Sequence, residues 1–183
     1  MNTILPTKIF LTKGMGQHRE KLASFEIALR EAGIAPYNLV KITSIFPPNC
    51  SLISREEGLK LLQPGQILFL VMSDTATEEA HRLISASIGL AQPSDPNHHG
   101  YLAEHHAFGM GEEEAGEYAA DLAAYMLATT LGESFDTKEI WNEKKNRYDI
   151  SSTHSVRTQS ITQIATGKKG LWTTAVAAAV CLP

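Results

Sequence analysis

An unbroken apolar run, Ile67-Leu68-Phe69-Leu70-Val71, follows the Pro64-Gly65 turn and constrains the fold more than any other stretch. A run of this length reads as a strand, Gln66–Ser73, buried on both faces, so the sheet that holds it is covered on both sides. Other strands surround it in sequence. Ile9-Phe10-Leu11 marks Lys8–Lys13, ending at a Gly14-Met15-Gly16 turn. Asn38–Ile45 alternates, with Leu39, Lys41 and Thr43 against Val40, Ile42 and Ser44, until Pro47-Pro48 ends the ladder. Arg82–Ala91 and Gly100–Phe108 follow, joined by the polar loop Gln92–His99. From Tyr148 to Cys181 β-branched residues flank Gly167-Lys168-Lys169-Gly170, which predicts a hairpin.

Helical signals are fewer. Glu20–Gly33 places Leu22, Phe25 and Leu29 on one face and stops at Gly33. Ser54-Arg55-Glu56-Glu57 is a capping box that opens a short helix through Leu62. Gly111–Gly132 carries Ala115, Ala119, Leu122, Ala123, Met126, Leu127 and Thr130 at helical spacing, with Glu112, Glu113 and Glu114 at the positive end of its dipole. Helices widely separated among strands that lack helical crossovers argue for an α+β layered sandwich with a largely antiparallel sheet. At 183 residues and 43% hydrophobic composition, residues 1–183 fit one domain with a sizeable core.

Charge and composition narrow the function. With 16 basic and 20 acidic residues the net charge is −4, so no global positive field favours nucleic acid. The longest apolar run, near Thr173–Leu182, is far short of the roughly 20 residues that span a bilayer. Met1–Lys8 lacks the apolar core and cleavage site of a secretory signal, giving a cytoplasmic expectation that suits the two cysteines, Cys50 and Cys181, as thiols.

Several motifs are weaker than they look. His98-His99 and His105-His106 lie about a strand whose adjacent residues point to opposite faces, and no metal-binding spacing accompanies them, so no metal is expected. Arg19 stands where the third glycine of a dinucleotide fingerprint would fall after Gly14 and Gly16. Two carboxylates hold more interest. Glu26 sits at the edge of the first helix's apolar stripe and has Arg30 as an i+4 partner. Glu104 alternates in phase with Leu102, so it is either a solvent-facing strand residue or a buried acid of raised pKa, suited to proton donation.

The segment Asn38-Leu39-Val40-Lys41-Ile42-Thr43-Ser44-Ile45-Phe46-Pro47-Pro48 resembles the self-cleavage segment of the pyruvoyl-dependent arginine decarboxylases. Phe25-Glu26, Ala32-Gly33-Ile34, Ser85-Ala86-Ser87-Ile88-Gly89, Gly100-Tyr101-Leu102-Ala103-Glu104 and the closing Ala-rich strand are similar in order and spacing, from about residue 7 to residue 181. The resemblance implies a four-layer αββα sandwich, a trimer or pair of trimers with sites at subunit contacts, and self-cleavage into a β chain 1–43 and an α chain 44–183. It also implies the roles. Ser44 is the precursor of a covalent pyruvoyl cofactor, Thr43 contributes the cleaved carbonyl and Asn38 the oxyanion contact during processing. Glu104 is the proton donor in decarboxylation and Glu26 the ligand of the substrate guanidinium. L-arginine then becomes agmatine and carbon dioxide through a Schiff base with the pyruvoyl group, without metal or pyridoxal phosphate. The hydroxyl of Ser44 lies beside its own N-terminal peptide bond, which it can attack where the turn is strained.

Two departures from the family pattern bear on this. Thr43-Ser44 replaces the common Ser-Ser pair, which affects the rate of processing rather than its outcome, because the first residue contributes only its carbonyl. Glu26 replaces the Asp of the best-known archaeal members and reaches somewhat more than about 1 Å further. The longer arm leaves lysine or ornithine open as substrates, and an uncleaved, non-catalytic homologue binding a basic ligand is the remaining alternative. Cys50, just beyond the cleavage point, reads as a packed or partly exposed loop thiol.

Overall fold

The computed structural model describes residues 4–134, 141–142, 147–149 and 155–183. Its elements are β1 (Lys8–His18), α1 (Lys21–Ala32), β2 (Asn38–Lys41), β3 (Ile45–Phe46), β4 (Ser51–Ile53), α2 (Arg55–Lys60), β5 (Ile67–Thr77), β6 (Leu83–Pro93), β7 (Gly100–Phe108), α3 (Glu112–Thr130), β8 (Trp141–Asn142), β9 (Arg147–Asp149), β10 (Ser155–Thr166) and β11 (Trp172–Leu182). One sheet has the order β2-β5-β11-β1-β4 and the other β3-β7-β6-β10-β9-β8. All pairings are antiparallel except β2 with β5 and β4 with β1.

The apolar run shows why the layers stack. Phe69 and Val71 enter the core between the two sheets with Ile84, Ile88, Leu90 and Leu102, whereas Leu68 and Leu70 turn outward to Phe10, Leu29 and Ile34 beneath α1. Both faces of β5 are therefore covered, as its sequence requires. A third cluster, with Ala103, Ala123, Ala124 and Leu127, seats α3 on the outside of the six-stranded sheet. The result is the expected α+β sandwich, helix–sheet–sheet–helix, with largely antiparallel sheets.

Four local expectations are corrected. Gly14-Met15-Gly16 is not a turn, because β1 runs straight through it. A Cβ at Gly14 would lie 2.3 Å from the Ala28 carbonyl oxygen, and one at Gly16 2.1 Å from that of Ser24, so both glycines let α1 lie directly on the strand. That close approach selects the small face of α1: Ser24, Ala28, Leu29 and Ala32 are buried, and Leu22 is exposed. The third correction is Gly167-Lys168-Lys169-Gly170, which joins strands of different sheets and makes no hairpin. There Gly167 exchanges hydrogen bonds with the adjacent 79–82 turn, donating to the Arg82 carbonyl and accepting from His81 N–H. Finally, the Asn38–Ile45 strand divides into β2 and β3, which belong to opposite sheets.

Candidate active site

Between β2 and β3 the chain passes from one sheet to the other, and each bank holds it by a backbone bond. Ile42 N–H donates to the Leu70 carbonyl of β5 at 2.9 Å, and Leu102 N–H of β7 donates to the Ser44 carbonyl at 2.7 Å. Ile45 N–H turns back onto the Thr43 carbonyl at 3.0 Å, closing a three-residue turn about Ser44. Neither Thr43 nor Ser44 has positive φ, so the turn is of the common inverse form and not the strained one. The half-buried Ser44 hydroxyl has no hydrogen-bond partner among the described residues.

Register brings Glu104 to this point. Ile45 pairs with Tyr101, which sets Ser44 opposite Leu102 and Glu104 one pleat further along the same face. Such diagonal neighbours are about 7–8 Å apart, within reach of a long side chain. Glu104 is exposed and makes no ion pair or hydrogen bond among the described residues, so the burial that Leu102 suggested does not extend to it. The reason is position, since Leu102 fills the space between the sheets and Glu104 stands beyond its rim. Ser73 of β5 ties the sheets together beside it, donating to the His105 carbonyl at 2.6 Å. His105 itself points to the other face and packs on Tyr118 of α3 with ring centroids 4.4 Å apart; burial, with His106 adding to it, holds its imidazole below the ordinary range.

Two expected site residues are not joined to Ser44 within the chain. Asn38 begins β2, and its amide donates to the Gly65 carbonyl at 2.8 Å. Four residues of strand rise, about 13 Å, separate it from Ile42. Glu26 lies on α1, outside the five-stranded sheet, accepting from Arg30 Nε at 2.6 Å. A cavity of about 330 Å³, bordered by Glu26, Arg30, Gly33, Ala35 and Pro36, opens there, at the opposite end of β2 from Ser44. Burial pushes the Cys50 thiol up to about 11 and that of Cys181 to about 12; both are free and poorly suited to act as nucleophiles. Among the described residues no three His, Cys, Asp or Glu side chains are grouped to hold a metal ion, and no helix is long and apolar enough to cross a membrane. What residue-by-residue reasoning missed are Ile45 N–H and Leu102 N–H, because backbone donors carry no signature in side-chain identity.

A crossing of this kind, with a free serine hydroxyl and a carboxylate one pleat away, lies within a match to the family model for pyruvoyl-dependent arginine decarboxylase over residues 8–183. The chain belongs to the pyruvoyl-dependent arginine decarboxylase family. Among its relatives in that family, a probable pyruvoyl-dependent arginine decarboxylase of Chlorobium limicola is 55% identical over 181 residues, covering 99% of each chain. The pyruvoyl-dependent arginine decarboxylase of Nitrosopumilus maritimus is 53% identical over 183 residues, all of both chains. Pyruvoyl-dependent arginine decarboxylase 2 of Methanosarcina acetivorans is 52% identical over 178 residues, 97% of each. The family name implies a pyruvoyl group.

Proposed function

We propose that this chain is a cytoplasmic proenzyme that cuts itself between Thr43 and Ser44 and then decarboxylates L-arginine to agmatine. The observation that carries this reading is the Ser44 crossing: backbone bonds from both sheets fix the reacting peptide while the hydroxyl stays free. In the first step Ser44 Oγ bonds to the Thr43 carbonyl carbon, and the π pair moves to the carbonyl oxygen. The hydroxyl proton passes to solvent, the C–N bond breaks with protonation of nitrogen, and an ester replaces the amide. Loss of the Ser44 Cα proton then expels Oγ with its electron pair. The β chain 1–43 leaves as a carboxylate, and residue 44 becomes dehydroalanine. Water releases its nitrogen as ammonia, which forms the pyruvoyl terminus of the α chain 44–183.

The pyruvoyl group supplies a carbonyl that engages the substrate amine and accepts the electron pair freed with carbon dioxide, as pyridoxal phosphate does elsewhere. Glu104 then donates a proton to the substrate carbon, since it is on the face of Ser44 and unpaired among the described residues. Glu26 receives the guanidinium. Its bond to Arg30 is an exposed i,i+4 pair worth about 0.3–0.5 kcal/mol, weak enough for a substrate guanidinium to displace. Because Glu26 and Ser44 are apart in one subunit, the complete site takes them from neighbouring subunits of a trimer or hexamer, and Asn38 can contact an oxyanion only across the same boundary.

Denatured intact mass of freshly purified protein tests the reading. Two species matching 1–43 and 44–183 are expected, the larger lighter by one ammonia than a free serine terminus requires. Ser44→Ala is expected to give one uncut mass and no agmatine; an active, cleaved Ser44→Ala protein overturns the mechanism.

A further inference from the structure

We infer that the backbone N–H of Ile45 is the oxyanion donor that drives self-cleavage in cis. This rests on the reading that Ser44 attacks the Thr43 carbonyl, and it names the group that makes the carbonyl electrophilic. The donor already sits 3.0 Å from the oxygen on which negative charge develops. As the carbonyl becomes an oxyanion, the same bond becomes charge-assisted and strengthens, which is the differential stabilisation a catalyst needs.

The fold leaves this N–H available for a definite reason. Leu102 N–H bonds to the Ser44 carbonyl, so Ser44 and Leu102 form a hydrogen-bonded pair, and Ile45 and Tyr101 next to them form a non-hydrogen-bonded one. The Ile45 N–H therefore points away from β7, and β3 is the edge of its sheet, so no further strand competes for it. Donor and acceptor are also held independently. The donor is fixed through β3 on β7, and the acceptor through Ile42 on β5. Such placement costs no reorganisation when charge appears. The turn at Ser44 is of the relaxed form, so polarisation of the carbonyl, and not release of stored strain, is what the local geometry provides. Asn38, about 13 Å of strand from Ile42 and bonded to Gly65, does not compete for this oxygen in its own subunit.

The experiment compares cleavage rates of full-length precursor made by pulsed cell-free synthesis, read as denatured intact mass against time. Ile45→Pro removes the N–H without breaking a ladder bond. Replacing Ile45 by its α-hydroxy acid removes the same N–H while leaving the side chain and φ unrestricted, and decides the matter if the proline variant lacks native circular dichroism. Ile45→Ala retains the donor. Ile45→Ala is expected to cleave within about threefold of the native chain, and the two donor-less variants about 10²–10³-fold more slowly, the usual effect of losing one oxyanion donor. Donor-less chains that cleave at the native rate, or an Ile45→Ala chain slowed as much as they are, overturn the inference and leave self-cleavage standing. A native chain that stays uncut overturns both.

Discussion

Glu104 stands just past the rim of the core. One pleat earlier, Leu102 is fully buried between the sheets; at Glu104 the covering ends, and the carboxylate is left without a partner among the described residues. Its proposed role as proton donor follows the proposed maturation, so Glu104→Gln is expected to leave the two product masses unchanged while slowing agmatine formation by about 10²–10⁴-fold, measured as released carbon dioxide. Full turnover in the variant reassigns the proton. That Glu104 lies on a strand in phase with Leu102 is legible in the sequence. Its exposure was not, because alternation states which face a side chain takes and not where along the strand that face runs out of cover. Asn38 illustrates a related limit. Its spacing from Ser44 matches the family motif, and it is the pairing of β2 with β5, from Asn38↔Ile67 to Lys41↔Leu70, that shows the first part of that spacing to be extended strand.

At the level of elements, glycines decide how closely helices lie on sheets. Gly14 and Gly16 admit α1 to β1, and a Cβ at Gly89 of β6 would lie 2.0 Å from the Ala119 carbonyl oxygen of α3. Gly14→Ala is therefore expected to destabilise the fold by about 1–3 kcal/mol, the range for overpacking, seen as a lowered midpoint in thermal melts. An unchanged midpoint would mean that α1 shifts without loss. These glycines also mark where the sequence misled. Two glycines around a methionine read as a turn because local chain propensity carries no knowledge of a helix pressed on the strand from above. The hydrophobic periods of β5, β7 and α3 were legible because each reports burial along one element. Which sheet a strand joins is a non-local choice, and this is why Gly167–Gly170 read as a hairpin although β10 and β11 lie in separate sheets.

For the whole molecule, the position of β1 determines what the proposed scission does. Pairing with β11 over eleven residues, from Lys8↔Leu182 to His18↔Trp172, and with β4 on its other side, β1 lies inside the five-stranded sheet. The proposed β chain thus contributes an interior strand, its covering helix and an edge strand, all embedded among partners from the α chain. On the proposed reading, cleavage turns the folding of one chain into the association of two. Uncut Ser44→Ala protein is expected to recover β1–β11 pairing from denaturant at a rate independent of concentration, whereas the matured pair, diluted from the same denaturant, should recover it at a rate that rises with concentration. Equal, concentration-independent rates would show that the fragments never separate. On the proposed reading the peptide bond at residue 43 is an assembly tether used once: before it is cut, it holds two complementing segments at an effective concentration that no dilute solution of the separate fragments can restore.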